Sequence, residues 1–289
     1  MYRLGLETLA WERLPGLIHA RAWHACCVVR GGTLVAVGGR GAEGTSIASV
    51  EVLERGSGAW RELLPLSCGV REDLCAVAMD EESVGVLSRQ VCILGGIIEE
   101  GEVSDGVYIV DLATGECTPQ PGLGIPRADM ASARLPDGRI IVAGGWSDDG
   151  EDQESAEVWE PSRGAWRELE EMAKRRFGGS GCLLSDGRRF AVFGGWGGQG
   201  DGDGSTLLES CEALVLDIGA ERWEPLAPML EARHAFACAA VGGCVIVAGG
   251  SSDDLDPSSA EVYEEATGVW RRLPCNLPRA TGYMGSALL

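Results

Sequence analysis

The chain has 289 residues, of which 45% are apolar and 24% are charged, and its formal net charge at pH 7 is -20. This length fits one large all-β domain, and the acidic balance disfavours binding to nucleic-acid phosphates or to anionic membrane surfaces. No apolar run approaches the ~18 residues of a membrane span, and the N-terminus lacks a signal-peptide pattern. We therefore expect a protein without a membrane anchor or a leader.

The predicted elements begin with two short extended stretches, MYRLGL (1–6) and LAWERL (9–14). Apolar runs that end in Gly-Gly then recur, namely TLVAVGG, VCILGG, IIVAGG, FAVFGG and VIVAGG, which end at residues 39, 96, 145, 195 and 250. A second series follows these pairs and consists of Trp60, Cys117, Trp166, Trp223 and Trp270. A third series precedes them and consists of Arg21, Arg71, Arg127, Arg176, Arg233 and Arg279. Markers that keep one order at a period of about 50 residues indicate an internal repeat.

Each repeat contains four short extended stretches. The first is small and apolar and leads through a tight turn, as at LPDGR (135–139) and LSDGR (184–188), into the β-branched run that ends in Gly-Gly. A polar loop leads to a third stretch such as SAEVW, and a short turn leads to a fourth such as AWREL. Four antiparallel strands every ~50 residues are typical of a propeller blade.

The arrangement resembles kelch repeats in its Gly-Gly pairs, its repeated Trp, and the aromatic or apolar residue seven positions before that Trp. It departs from the family pattern in two places, because the usual tyrosine stands only at Tyr263 and Cys117 replaces one Trp. We predict a single all-β domain over residues 1–289, a six-bladed kelch-type β-propeller of four-stranded antiparallel blades. The last blade is closed by N-terminal strands and by RATGYMGSALL (279–289), and it is either three-stranded or completed by further chain.

Chain direction predicts that the arginines and the loops after Gly-Gly share one face of the propeller. The arginines either pair with neighbouring loop carbonyls and acids or form a ring at the channel mouth that binds acidic groups. Trp146 and Trp196 directly follow their glycine pairs, and they either pack against loops or act as exposed anchors for a protein partner. The predicted partner-binding residues are Arg71, Arg127, Arg176, Arg233, Trp146 and Trp196.

The loops after Gly-Gly are rich in acids, which are Glu43, Glu99, Glu100, Glu102, Asp105, Asp148, Asp149, Glu151, Asp152, Glu154, Asp201, Asp203, Glu209, Asp253, Asp254 and Asp256. Asp201, Asp203 and Ser205 have the spacing of a calcium loop, but Thr206 stands where such a loop needs glycine. We therefore favour solvated loops over a calcium site and predict no metal and no cofactor.

The cysteines and histidines favour structural roles. The 11 cysteines include no Cys-x-x-Cys pair, and His19, His24 and His234 are too few for common zinc or catalytic constellations. His24 and His234 fall on first strands, where we expect channel-facing or hydrogen-bonded side chains. Free thiols in strands fit a reducing compartment, which predicts a cytoplasmic protein.

The kelch resemblance implies a non-catalytic protein–protein interaction module. Kelch domains often serve as the substrate-recognition part of ubiquitin-ligase adaptors, joined to an F-box or BTB segment, so this role is implied by resemblance alone. The alternative is a propeller enzyme, or a binder of carbohydrates or small molecules, that uses the mouth of the central channel.

Overall fold

Each Gly-Gly unit of the sequence folds into one four-stranded antiparallel sheet in the computed structural model. The structure describes residues 1–79, 89–148, 150–198, 206–217, 220–252, 258–279, 281–283 and 285–287. The strands in chain order are β1 (Tyr2–Gly5), β2 (Ala10–Arg13), β3 (Arg21–Ala22), β4 (Ala25–Val29), β5 (Thr33–Val37), β6 (Arg40–Gly41), β7 (Val50–Leu53), β8 (Arg61–Glu62), β9 (Cys75–Ala78), β10 (Gln90–Leu94), β11 (Val107–Asp111), β12 (Cys117–Gln120), β13 (Ala131–Arg134), β14 (Ile140–Ala143), β15 (Ala156–Glu160), β16 (Ala165–Glu168), β17 (Ser180–Leu183), β18 (Arg189–Phe193), β19 (Trp196–Gly197), β20 (Thr206–Leu207), β21 (Cys211–Val215), β22 (Arg222–Leu226), β23 (Ala237–Val241), β24 (Cys244–Ala248), β25 (Ala260–Glu264) and β26 (Val269–Arg272). A short 3-10 helix spans Glu99–Gly101.

The five blades are β4-β5-β7-β8, β9-β10-β11-β12, β13-β14-β15-β16, β17-β18-β21-β22 and β23-β24-β25-β26, numbered here as blades 1 to 5. Their first strands contact one another in chain order around a central channel. Small residues form these strands, as in ACCVV and SGCL, because the channel axis is crowded. The second strands are apolar runs buried on both faces, as in TLVAV and IIVA. The predicted all-β propeller of four-stranded blades is confirmed.

The predicted blade count is wrong, since the described residues form five four-stranded blades and not six. The N-terminal strands β1 and β2 form a two-stranded sheet of their own. Trp11 of this hairpin packs against Ala248 and Ala260 of blade 5, and Met1 packs against Leu34 of blade 1. The hairpin therefore lies between the first and last blades, where the sequence led us to expect a sixth.

The C-terminal residues also lie between blades 5 and 1. Ser286 Oγ donates a hydrogen bond to the Cys238 carbonyl of β23 at 3.0 Å, and Gly285 lies beside Cys26 of β4. The described residues in this segment have no β-ladder partner, so the termini occupy the sixth place without completing a sheet there.

Tryptophans connect four of the five blades to the chain segment that leaves the preceding unit. Each indole N–H donates to a main-chain carbonyl of that segment, with the pairs Trp60–Pro15 (3.1 Å), Trp166–Pro121 (2.9 Å), Trp223–Glu170 (2.7 Å) and Trp270–Ala227 (2.8 Å). Blade 2 has Cys117 at this position and so lacks the indole bond. The repeated Trp therefore supplies both buried apolar area and one directional contact between neighbouring units.

The Gly-Gly pairs let the second strand end against neighbouring main chain. Gly144 and Gly145 have φ angles of 70° and 93°, and a Cβ on Gly145 would lie 2.6 Å from the Ala128 carbonyl oxygen. We expect Gly145→Ala to lower the free energy of unfolding by about 2–3 kcal/mol, because it adds a steric clash to an unfavourable φ. Urea unfolding measures the change.

Gly150→Ala is the matched control for this prediction. Gly150 has a φ of 79° and no atom within 4 Å of its added Cβ, so the variant meets only the cost of the φ angle, about 1 kcal/mol. Equal losses in the two variants would contradict the close approach at Gly145.

Candidate functional site

Arg127 shows what the repeated arginines do. Its Nη1 donates to the carbonyls of Gly144 (2.9 Å) and Ser155 (3.1 Å), and its Nη2 donates to Ser155 Oγ (3.1 Å) and Glu157 Oε1 (2.6 Å). Glu157 Oε2 also accepts a bond from the Gly124 amide at 2.7 Å. Burial lowers the pKa of Arg127, and the Glu157 carboxylate opposes that shift. The pair thus connects the end of the second strand, the third strand and the segment that enters the blade.

The same arrangement recurs in three further blades. The equivalent sets are Arg21–Ser49–Glu51, Arg176–Ser210–Glu212 and Arg233–Ser259–Glu261. Blade 2 differs, because Gly106 and Tyr108 stand where the other blades have Ser and Glu. There Arg71 donates to the Gly95 carbonyl at 2.9 Å, and its guanidinium carbon lies 4.9 Å from the centre of the Tyr108 ring.

These contacts correct the predicted site. Arg71, Arg127, Arg176 and Arg233 are only 0–3% exposed, and their Nη atoms bind acceptors of this chain. A guanidinium that is buried and bonded within the chain offers no surface to a partner. These four arginines therefore follow the first of our two interpretations, in which each one pairs with neighbouring carbonyls and acids. The sequence signal that we missed is the Ser-x-Glu at the start of four third strands.

Arg279 is not the sixth member of the series. The amide of the second glycine in each pair donates to the carbonyl of the next arginine, as Gly145 does to Arg176 at 2.8 Å. In the last unit Gly250 donates instead to Thr281 at 2.8 Å, while Arg279 is exposed. Thr281 therefore occupies the equivalent position.

Trp146 and Trp196 are half-buried on the face that carries the outer loops. Trp146 forms bridges to Ala128 and Asp152, and Trp196 pairs with Leu207. Both tryptophans thus contact loops while keeping part of each ring exposed. Their role in partner binding stays a prediction.

Six residues form a closed ring of main-chain hydrogen bonds around one mouth of the channel, which we call the collar. Each amide donates to the carbonyl of the collar residue in the neighbouring unit at 2.7–3.3 Å, and each φ lies between 51° and 62°. The members are Trp23, Asp73, Asp129, Gly178, Ala235 and Tyr283. Left-handed φ angles are costly for residues other than glycine, so this backbone is held by its ring of bonds. Tyr283 closes the ring from the sixth place.

Two neighbouring collar residues bring their carboxyl groups to the cavity, and we call Asp73 and Asp129 the carboxyl pair. Burial raises the pKa of Asp73 to about 8, with further upward effects from the charges of Asp129 and Glu72, while Arg40 acts in the opposite direction. Burial raises the pKa of Asp129 to about 6. Within the described residues neither carboxyl group has a hydrogen-bond donor. The pair is thus poorly solvated and without a counterion in contact.

Aromatic rings cover another part of the mouth, and we call them the aromatic arc. The ring centroids of Trp196 and His234 are 5.8 Å apart, those of His234 and Tyr283 are 5.6 Å apart, and those of Tyr283 and Trp23 are 5.0 Å apart. His234 Nε2 lies 3.2 Å from the Tyr283 hydroxyl. Arg40 extends the arc, with its guanidinium carbon 5.3 Å from the Trp23 ring.

The collar opens into a cavity of about 200 Å³ that is lined by collar residues, by the residues that follow them and by the first strands. His24 lines this cavity, which confirms its predicted channel-facing position. Burial lowers the pKa of His24 to about 4, with a smaller effect from Arg21, so its imidazole is neutral at pH 7. Its Nδ1 is buried and has no hydrogen-bond partner within the described part of the chain.

The outer loops on the mouth face are acidic, as expected. Exposed acids of the described loops are Glu43, Glu99, Glu102, Asp105, Asp148, Glu151 and Glu209. Two of them have partners, since Asp148 Oδ1 accepts a bond from the Val103 amide at 2.8 Å and Glu151 lies 2.8 Å from Arg175 Nη1. The predicted acids that lie outside the described residues are Asp149, Asp201, Asp203, Asp253, Asp254 and Asp256.

The described residues contain neither a cluster of metal ligands nor a helix that could span a membrane. The calcium-type spacing cannot be located because Asp201, Asp203 and Ser205 lie outside the described residues. Among the residues that are described, no three His, Cys, Asp or Glu side chains come together as metal ligands. No helix in the same ranges has the length and apolar character needed to cross a bilayer.

A family model for the Kelch motif matches residues 129–173 and 232–276, which contain the strands of blades 3 and 5. The chain contains kelch repeats. The matched segments of this kelch-repeat protein begin at or near the collar and end beyond the fourth strand. The resemblance inferred from the Gly-Gly and Trp series is therefore confirmed.

The names of two curated relatives combine kelch repeats with an F-box. The kelch-repeat chain is 37% identical over 90 residues to an F-box/kelch-repeat protein of Arabidopsis thaliana, covering 30% of this chain and 20% of that protein. It is 29% identical over 183 residues to a second F-box/kelch-repeat protein of Arabidopsis thaliana, covering 61% and 47%. The matches thus span at most about half the length of these relatives.

A solved structure shares the fold. The structure of YjhT covers 95% of this chain and 89% of its own, with a TM-score of 0.75 and 14% sequence identity. At this identity the likeness shows a common propeller architecture and carries no statement about activity.

Proposed function

We propose that this chain is a protein-interaction module whose partner inserts a basic side chain into the channel mouth. The observation that carries the proposal is the carboxyl pair, two half-buried acids that have no hydrogen-bond donor among the described residues and that face an open cavity. The aromatic arc borders the same opening. A lysine or arginine side chain would supply the missing donors and the missing positive charge.

Electrostatics favours this ligand chemistry over an acidic one. The pKa values of Asp73 and Asp129 are raised because burial penalises their charged forms, and a nearby cation reverses such a shift. An arginine guanidinium can bind carboxylates bidentately and can also stack on aromatic faces. Trp and Tyr rings attract cations by about 0.5–2 kcal/mol, depending on solvation. The acidic loops around the mouth would steer a basic segment toward it.

We also propose that the whole protein acts in a ubiquitin-ligase complex as the substrate-recognition part. The names of the F-box/kelch-repeat relatives support this role, and the chain spans 20% and 47% of two of them. If the role holds, ubiquitination of a captured partner depends on the channel mouth. Reconstituted ubiquitination with the full gene product tests this, comparing the wild type with the double variant Asp73→Asn/Asp129→Asn.

Binding of peptides tests the mouth directly. We expect purified chain, applied to an array of random peptides, to retain peptides enriched in Arg and Lys. The double variant Asp73→Asn/Asp129→Asn should weaken binding of the best peptides tenfold or more, because charge-assisted hydrogen bonds are about twice as strong as neutral ones. Fluorescence anisotropy with the labelled peptides measures the dissociation constants.

The double variant Asp137→Asn/Asp186→Asn is the matched control. These two acids lie in the hairpin turns between first and second strands, at the opposite face, and the variant replaces the same number of carboxyl groups by amides. We expect its affinities to stay within twofold of the wild type. Enrichment of acidic peptides, or equal losses in both double variants, would contradict the proposed site.

A second candidate is acid–base chemistry on a small ligand at the same mouth. The observation that favours it is that two neighbouring carboxyl groups share one cavity, where burial raises the pKa of each. Neighbouring carboxyl groups of this kind resist ionising together, so the pair can hold one proton between them, which is a pattern found in acid–base pairs. Turnover of a small molecule that is lost in Asp129→Asn would favour this candidate over partner binding.

A further inference from the structure

Blade 2 connects to blade 1 differently from the other units. Elsewhere a Trp indole donates to a carbonyl of the segment that leaves the preceding blade, but here Cys117 replaces the Trp. The segment that leaves blade 1 contains Ser67 and Cys68. The Cys117 amide donates to Ser67 Oγ at 3.0 Å, and the Ser67 amide donates to the Gly115 carbonyl at 3.4 Å. These bonds hold the segment against β12 beside Cys117.

The two thiols at this joint are neighbours. The Cys68 side chain lies close enough to Cys117 for that thiol to raise its pKa, and both residues are half-buried, so a small reagent can reach them. Both pack against the apolar cluster between blades 1 and 2, which includes Leu66 and Val110. A disulfide needs the sulfur atoms at about 2.05 Å, so closing it would draw the connecting segment toward β12.

We propose that Cys68 and Cys117 are an oxidisable pair that closes a disulfide between blades 1 and 2. The covalent bond would stand where the other units have the Trp hydrogen bond. It would join two points of the chain that are 49 positions apart in the sequence. This assignment concerns the joint between blades and is independent of the ligand proposed for the channel mouth.

The reaction balances with a small-molecule disulfide such as oxidised glutathione as the oxidant. The thiolate of one cysteine attacks the glutathione disulfide, forms a mixed disulfide and releases one glutathione thiolate. The thiolate of the other cysteine then attacks the protein sulfur and releases the second glutathione. The two cysteines lose two electrons and two protons, and oxidised glutathione is reduced to two glutathione thiols. Burial and the Cys117 side chain raise the pKa of Cys68 to about 11, so the reaction should accelerate as the pH rises.

A second thiol pair provides an internal comparison. Cys182 of β17 and Cys238 of β23 are also neighbours, and the Cys238 side chain together with burial raises the pKa of Cys182 well above its ordinary value. They lie on neighbouring first strands inside the propeller, where the backbone is held by two flanking strands or sheets. We expect this pair to oxidise more slowly than Cys68 and Cys117.

Peptide mapping of the folded, full-length chain tests the pair. After treatment with oxidised glutathione at pH 8.5, digestion with trypsin without reductant should yield peptide 62–71 linked to peptide 90–127, and dithiothreitol should separate them. Because Cys92 also lies in peptide 90–127, the link must vanish in Cys117→Ser. It must persist in Cys182→Ser/Cys238→Ser.

Thermal unfolding gives a second readout. We expect the oxidised wild type to melt about 5 °C higher than the reduced wild type, because closing a long loop restricts the unfolded chain. Cys68→Ser should melt at the same temperature with and without oxidant. Accumulation of glutathione adducts on Cys68 without the linked peptide would overturn the proposal, as would a link to Cys92 that survives in Cys117→Ser.

Discussion

Replacement of Arg127 with alanine should lower the free energy of unfolding by about 3–5 kcal/mol, which urea unfolding at pH 7 would measure. The guanidinium is fully buried and donates to Gly144, Ser155 and Glu157. Its removal leaves the Glu157 carboxylate buried without its cation, and an unpaired buried charge is far more costly than an unpaired surface charge. Glu157→Gln should also be costly, because it leaves the Arg127 guanidinium buried without its counter-charge, and its single amide oxygen can accept from Arg127 or from the Gly124 amide but not from both.

Arg71→Ala is the matched control, since it removes the same side chain from the equivalent position in blade 2. Arg71 is also buried, but Tyr108 takes the place of the glutamate, so no carboxylate loses a partner. We expect a loss of about 1–2 kcal/mol from one hydrogen bond, packing and the cation–π contact. If the two variants lose equal stability, the buried Arg–Glu pair is not what makes Arg127 important.

Asp73→Asn should raise the free energy of unfolding by about 3 kcal/mol at pH 8 and by little at pH 4. Asp73 has a pKa of about 8 in the folded protein against the ordinary 3.8, so the folded state binds more protons than the unfolded state between these values. Stability from this group is then fully present below about pH 4 and is lost as the pH rises through about 8. Asparagine does not ionise, so the Asp73→Asn variant does not lose this stability as the pH rises. The full pKa shift of Asp73 would correspond to a larger free energy of unfolding. We expect only about 3 kcal/mol because the Asp73 side chain is partly exposed to water.

Urea unfolding of the wild type, Asp73→Asn and Asp137→Asn at pH 4 to 8 measures this dependence. Asp137 is an exposed acid beside Arg139 in a hairpin turn, so its replacement should leave the pH profile of the wild type almost unchanged. A profile of Asp73→Asn that runs parallel to that of the wild type would contradict a strongly raised pKa at the mouth.

This expected gain in stability bears on function. A protein that keeps two poorly solvated carboxyl groups on left-handed backbone retains an arrangement that lowers its own stability. Natural sites that bind ligands often combine such local costs with activity, and stabilising replacements there tend to reduce function. Asp73→Asn should therefore be more stable and bind basic peptides more weakly, which separates a binding role from a purely structural one.

The repeat and the strand order could be predicted from the sequence because their signals are local. Gly-Gly ends a strand at backbone that only glycine adopts easily, as at Gly144 and Gly145, and the Asp-Gly turns mark the hairpins. The first strands consist of small residues because the channel axis is crowded. The second strands consist of apolar residues because both of their faces are buried. The shared face of the arginine positions and the loops after Gly-Gly also followed from chain direction, and the pairing of Arg21 with Gly41 agrees with it.

The site was harder to predict, because its residues are two positions away from the markers that we recognised. Asp73 and Asp129 follow Arg71 and Arg127, and registering the repeats on the arginines would have aligned both with Trp23. Nothing in the sequence indicates that their side chains face one cavity or that Tyr283 closes the same ring. These facts depend on how separate units meet around the axis.

By itself, the sequence determined the all-β class, the four-stranded blade and the kelch-type repeat, because each depends on residues close together in one unit. Only the tertiary structure decided that the arginines are buried, that five blades are four-stranded, and that Asp73 and Asp129 lie at one mouth. A guanidinium at Arg127 reaches Glu157 thirty positions along the chain. Its partner, its burial and its charge balance exist only after the strands have paired and the blades have packed around the channel.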